Sequence, residues 1–274
     1  LYTLIEKHAD GTWDYRVIGS ILDVLFAPDD VDAAIEALAD PRIRIVSLTI
    51  TEGGYNFDRL TGEFMLDTPA VAKDLQRSDL PTTVFGVVTE ALARRCARDL
   101  PAFTVMSCDN IQHNGDVAKT MFAAFAKAWD ADIAEWIEDN VSFPNSMVDR
   151  ITPVTTPADA DVVSEAIGWT DRCPVLCEPF FQWVVEDNFP TGRPEWELVD
   201  VQVTEDVTPY EKMKLRLLNA SHQGLAYFAH LMGYRYVHDA AQDPLIVEFL
   251  LAYMNNDAAP TLDPVPGVDL AAYK

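Results

Sequence analysis

Apolar residues in the first half of the chain fall into short β-rich runs, separated by longer stretches whose apolar positions recur every three or four residues. Strands are predicted at 1–5, 16–22, 43–50, 103–108 and 141–146, and helices at 30–39, 83–98 and through 115–140, the last as one or two pieces. Such alternation is the signature of strands joined by helical crossovers in a parallel sheet. After Pro153 the pattern changes. A linker and cap at 155–160 lead to short β-like runs at 174–176, 181–185 and 198–203. A long helix follows over 209–233, opened by Pro209, which suits a first turn, and closed by Gly233, which suits a C-terminal cap. Asp243-Pro244 opens another helix that ends near Asn255, and 258–267 reads as an extended loop. The expectation is an α/β fold: a parallel-sheet domain over 1–153 and the start of a mainly helical domain over 154–274.

In an open α/β sheet the ligand crevice lies beyond the carboxyl ends of the strands. Two polar segments follow predicted strands and are site candidates on that ground: Thr51-Glu-Gly-Gly-Tyr55 and Ser107-Cys-Asp-Asn110. Each has an ordinary alternative. Paired glycines serve tight turns that need positive φ, and Asx residues commonly cap helices.

The helix at 209–233 carries the most chemistry. At about 100° per residue, with Lys214 at zero, Glu211 lies near 60°, His222 near 80° and Asn219 near 140°, so one broad face holds all four. Leu217, Leu218, Leu225, Tyr227 and Phe228 in the same segment imply partial burial. A buried lysine binds its proton less tightly, because a low-dielectric site disfavours the ammonium form, and it becomes a candidate general base. The competing expectation is a solvated face with weak ion pairing and a structural histidine.

Composition narrows the partners. With 274 residues and 49% hydrophobic content the chain can bury a sizeable core. A formal net charge of −24 disfavours nucleic acid, anionic membranes and polyanionic ligands, whose fields it would repel. No apolar run is long enough to cross a bilayer and the first residues lack a secretory pattern, so a cytoplasmic protein is expected. Leu1 begins a strand already under way, which suggests an internal fragment. Cys96, Cys108, Cys173 and Cys177 form no C-x-x-C pair and have no histidine cluster of ligand spacing nearby; reduced, mostly buried thiols and no metal are expected.

Val141-Ser-Phe-Pro-Asn-Ser-Met-Val-Asp-Arg-Ile-Thr-Pro153 resembles the signature of the mannitol dehydrogenase family, the polyol-specific long-chain dehydrogenases and reductases. Lys214, Asn219 and His222 match that family's spacing of lysine, four residues, asparagine, two residues and histidine. Segments 107–115 and 48–55 also look like family blocks, in the family's order. The resemblance implies a Rossmann-like dinucleotide-binding domain lacking its N-terminal strands, followed by a helical substrate domain. It implies hydride transfer between NAD and a sugar alcohol such as D-mannitol, giving the ketose D-fructose without a metal. Lys214 would be the base; Asn110 and Asn219 would stabilise charge on the substrate oxygen; His222 and Asp149 would hold substrate hydroxyls; Glu211 would relay the proton. Arg150 is left as structural.

The chain also departs from the family. No G-x-G-x-x-G occurs in it, so the cofactor phosphates are assigned to no residue here, and Thr51 and Glu52 are the only crevice residues placed near the cofactor. NADP stays open for the same reason. Within the family the alternatives are a hexuronate reductase acting on fructuronate or tagaturonate and an arabinitol dehydrogenase. A uronate would call for an added cationic contact, and none stands out near the motifs. The alternative of another class is an inactive fragment or a non-catalytic binding protein.

Overall fold

In the computed structural model, which describes residues 1–274, the chain opens with a hairpin of β1 (Tyr2–Lys7) and β2 (Trp13–Ile18), antiparallel and in register from Tyr2 opposite Ile18 to Lys7 opposite Trp13. Asp30 caps α1 (Val31–Ala39) by accepting the Ala33 N–H. β3 (Ile45–Leu48) then pairs in parallel with β4 (Thr104–Ser107). The crossover between them carries α2 (Thr51–Gly54), α3 (Pro69–Leu75) and α4 (Val84–Ala97). α5 (Asn114–Trp129) and α6 (Ala131–Asn140) are two helices, parted at Asp130, whose extended backbone and side chain cap the second. β5 (Ser146–Asp149), α7 (Pro157–Ile167), β6 (Val175–Cys177), β7 (Gln182–Glu186) and β8 (Gln202–Thr204) complete the first part of the chain.

Contacts divide the chain into two units, Leu1–Val203 and Thr204–Lys274. The change of pattern at Pro153 lies inside the first unit. β6 pairs in parallel with β1, and β7 pairs antiparallel with β5, so 154–203 is tied back to the strands before it. The antiparallel pairs were not anticipated by a parallel-sheet expectation; β3–β4 and β1–β6 are the parallel ones. The strand expected at 141–146 begins only at Ser146. Val141 still ends α6, the Ser142 carbonyl accepts the Val105 N–H, and Asn145 is held by Asp116 and Glu186, so this stretch is committed to bridging contacts. The strand expected at 16–22 stops at Ile18, and Leu22 and Val24 beyond it are exposed.

Aromatic side chains hold α4 and α5 on the β3–β4 layer. Phe85, Phe122 and Phe125 are fully buried, and the Phe85 ring lies 4.8 Å from those of Phe64 and Phe122. Arg95 is buried too, its guanidinium 4.9 Å from the centre of the Phe103 ring, and it donates to the carbonyls of Leu38, Asp40, Ile43 and Pro101. A buried charge is tolerable when its donors are met, and these bonds fix the end of α1 and the approach to β3.

The second unit is a helical run: α8 (Thr208–Met213), a π-helical turn at Lys214–Asn219, and α9 (Ala220–Leu231). α10 (Val237–Ala240) and α11 (Pro244–Tyr253) follow, the latter capped by Asp243, and a second π-helical turn spans Met254–Ala258. Leu225, Ala229, Ala240 and Ile246 form its small core. No helix is long and apolar enough to cross a membrane.

Gly115 lets α5 approach the chain before β5. A Cβ added there would stand 2.5 Å from the Pro144 carbonyl oxygen and 2.6 Å from that of Phe143, both rigid backbone atoms. Gly115→Ala is expected to destabilise the protein by about 1–3 kcal/mol through overpacking. A urea midpoint indistinguishable from wild type would contradict that contact.

Candidate active site

β3 and β4 end level, with Leu48 opposite Ser107, and the two candidate loops leave from the same edge. Asp109 joins them. Its carboxylate, 7% exposed, accepts the Ile50 N–H at 3.1 Å, the Thr51 N–H at 2.7 Å and the Tyr55 hydroxyl at 2.7 Å. The Tyr55 hydroxyl also lies 2.5 Å from Ser107 Oγ, and both residues are wholly buried. Burial is the largest cause holding the Tyr55 phenol protonated, so it can serve as a standing donor to Asp109. Asp109 therefore clamps the start of the turn after β3 to the end of β4.

The glycines of that turn do not supply its unusual backbone. Thr51 takes the left-handed conformation, at φ 63°, and Asn56 beyond the turn takes φ 54°. A non-glycine residue bears a cost in that region, and the Asp109 bond to the Thr51 N–H helps hold it there. Gly54 is needed for space: a Cβ would approach the Ile50 Cβ to 2.9 Å. Thr51 and Glu52 are exposed at the end of β3, where the sequence put them, and Glu52 pairs with Arg59 at 3.2 Å.

One residue after Asp109, Asn110 is exposed. Asn114 fixes the loop behind it: its side-chain amide donates to the carbonyls of Asp109 at 3.0 Å and Ser146 at 2.8 Å, and its oxygen accepts the Ser146 N–H at 2.8 Å. The start of β5 is thereby locked to the end of β4. At the other end of β5, Asp149 is half-buried opposite Gln182. Arg150 beside it donates to Glu6 and to the Glu178 carbonyl, binding β1 and the end of β6, as expected of a structural residue.

Lys214, Glu211, Asn219 and His222 lie in the second unit, on one continuous helical run. Lys214 and Glu211 are each only 6% exposed, Asn219 is half-buried and His222 is exposed. The angular estimate for a regular helix needs correction, because the stretch is not a regular helix. The Ala220 N–H donates to the Leu215 carbonyl, five residues back, where an α-helix would reach four. An extra residue in the turn reduces the rotation per residue. Lys214 and Asn219, five apart and far apart in angle on an α-helix, are brought toward one face by a turn of that width.

The four cysteines are free. Only Cys177 is fully buried and Cys173 is exposed, which corrects the expectation of mostly buried thiols. Burial, with Asp109 adding to it, pushes the Cys108 thiol up to about 11, so it stays protonated beside the clamp. Glu6, His8 and Asp14 gather on the hairpin, where Arg150 holds Glu6 and Asp14 holds His8 at 2.9 Å.

The sequence missed the Asp109 clamp, Asn114 and the π-turn. Asp109 was visible as a neighbour of Asn110, but its partners lie more than fifty residues away in sequence.

The mannitol dehydrogenase Rossmann domain model matches residues 1–198, and the mannitol dehydrogenase C-terminal domain model matches residues 206–274. A polyol:NADP oxidoreductase of Gluconobacter oxydans is 48% identical over 274 residues, covering 100% of this chain and 56% of the relative. A D-sorbitol dehydrogenase solved in substrate-free form superposes with a TM-score of 0.96 at 47% identity, over 99% of this chain and 56% of that one. The Pseudomonas fluorescens mannitol 2-dehydrogenase, solved as a ternary complex with NAD and D-mannitol, gives a TM-score of 0.90 at 53% identity, over 100% of this chain and 56% of that one. The chain spans about half the length of the curated relatives it matches.

Asp109→Asn would turn an amide donor or a weaker acceptor toward two backbone N–H groups. A loss of about 1–3 kcal/mol is expected for Asp109→Asn and less for Tyr55→Phe. Because the two side chains share one bond, the double variant is expected to lose less than the sum. Strict additivity in urea unfolding would show that they do not act as one clamp.

Proposed function

The chain belongs to the mannitol dehydrogenase family, and on that footing we propose that the protein is a polyol dehydrogenase, exchanging a hydride between NAD and a secondary alcohol of a sugar alcohol. D-mannitol, giving D-fructose, is the substrate assigned. The observation that carries the proposal is the buried Lys214 on a wide helical turn, with Glu211 buried one turn before it and Asn219 at the turn's end.

In the proposed reaction the substrate hydroxyl gives its proton to Lys214 Nζ while the C–H electron pair leaves as hydride. Low exposure favours the neutral amine that a base requires. Asn110 and Asn219 donate hydrogen bonds to the oxygen as its charge grows, and preorganised donors of this kind contribute on the order of 3–4 kcal/mol each. His222 and Asp149 hold the remaining hydroxyls, and Glu211 passes the proton onward from Lys214. A base and two amide donors supply both proton transfer and charge stabilisation, so the mechanism assigned needs no metal.

NAD, when bound, supplies the hydride acceptor. The residues assigned nearest to it are Thr51 and Glu52, which support that reading by being exposed beyond the carboxyl end of β3, on a turn that Asp109 holds. The phosphates are assigned to no residue, since the chain contains no glycine-rich loop. A second reading, NADP in place of NAD, is favoured by the name of the Gluconobacter oxydans relative.

The test uses the full-length protein. NADH formation with D-mannitol, arabinitol and sorbitol, compared with NADH consumption by fructuronate, is expected to favour D-mannitol; turnover of fructuronate alone would overturn the substrate. Lys214→Ala is expected to lower kcat by about 10²–10⁴-fold, the usual worth of a general base. Unchanged turnover at neutral pH would remove Lys214 from the mechanism.

A further inference from the structure

A turn that closes over five residues must leave a carbonyl behind. Where the hydrogen-bond ladder returns from five-residue to four-residue spacing, it steps over one oxygen. The Ala220 N–H serves the Leu215 oxygen. The next oxygen along the chain is that of Arg216, and it accepts the Tyr253 hydroxyl at 3.0 Å. Both residues are half-buried, where an unmet carbonyl is costly.

Tyr253 is itself well anchored. It is the last residue of α11, directly before the second π-helical turn at Met254–Ala258, in which the Ala259 N–H again reaches five residues back, to Met254. The Arg216 side chain ties into the same region, donating to the Thr261 carbonyl and, at 2.9 Å, to the Thr261 hydroxyl. That hydroxyl donates in turn to the Ala258 carbonyl at 2.7 Å.

We propose that Tyr253 is a positioning residue: by taking the carbonyl that the wide turn releases, its hydroxyl holds 214–219 in the π form and so sets Lys214 relative to Asn219. The inference rests on the proposed roles of those two residues. Tyr253 acts through the backbone of Arg216. Without its bond the turn relaxes toward regular helix, in which Asn219 stands roughly 140° from Lys214 around the axis.

The experiment measures hydrogen exchange of peptides spanning 213–221, together with the kinetics of D-mannitol oxidation by NAD, in the full-length protein. Tyr253→Phe is expected to speed exchange in 213–221 and leave peptides of the first unit unchanged. It is expected to lower kcat about 10- to 100-fold, the scale of a small misplacement of reacting groups, with KM within about twofold. Thr261→Val loosens the Arg216 side chain and leaves the Arg216 carbonyl bonded, so it is expected to keep kcat within about twofold of wild type. Unchanged exchange in Tyr253→Phe would overturn the proposal, and so would equal kcat losses in the two variants. Faster exchange with full kcat, in a protein whose Asn219→Ala variant is impaired, would overturn it as well. If Lys214→Ala and Asn219→Ala both keep full kcat, the roles of those residues fall and the inference falls with them; the exchange result separates that failure from a failure of the Tyr253 bond.

Discussion

Hydrogen bonding at five-residue spacing between Lys214 and Asn219 is the constraint on which the candidate chemistry depends. A regular α-helix sends residues five apart to different faces, so a lysine and an asparagine at that spacing could not readily serve one small group. The wide turn changes that relation without moving either residue off the helix. It does so at a cost, since one carbonyl leaves the ladder, and the second unit answers with a hydroxyl from α11. Local strain of this kind persists where surrounding contacts over-determine it.

The first unit reaches a comparable result with different means. Among its residues in the left-handed region are Thr51 and His113, one in each candidate loop. Asp109 binds the N–H of Thr51, and Asn114, which follows His113, binds the end of β4 to the start of β5. These are buried polar side chains whose partners are mostly backbone groups, so each fixes main chain rather than another side chain. Rigid strands thereby carry exposed residues, Thr51, Glu52 and Asn110, on loops that are themselves held.

Much of this was legible in the sequence where the signal is periodic or local. Helices α1 and α4 and the long helical run from Thr208 follow from apolar spacing and caps, and Asp30, Thr83 and Pro157 occupy capping positions that sequence rules recognise. The roles proposed for Lys214, Asn219 and His222 came from their spacing and from family motifs. What stayed hidden is non-local or sub-periodic. A single extra residue in a turn leaves the apolar pattern nearly intact, so the π-turn has no clear signature in hydrophobicity. Nothing in the sequence around Arg95 marks it as buried, and its burial depends on four backbone carbonyls, three of them far from it in sequence, that meet its donors. The pairing of β6 with β1 spans most of the first unit, and short runs of three residues carry too little pattern to reveal such a partner.

The central claim is that the width of the turn, and not merely the presence of Lys214 and Asn219, sets the two groups on one face. Leu215 is exposed, and deleting it removes one residue from the turn while leaving every named group in the chain. The lysine and the asparagine then stand four apart, roughly 40° around a regular helix that releases no carbonyl. In the full-length protein the account predicts that this deletion makes Tyr253 dispensable: adding Tyr253→Phe to it changes kcat for D-mannitol oxidation by less than about twofold. A loss on adding Tyr253→Phe as large as in the undeleted protein would contradict it.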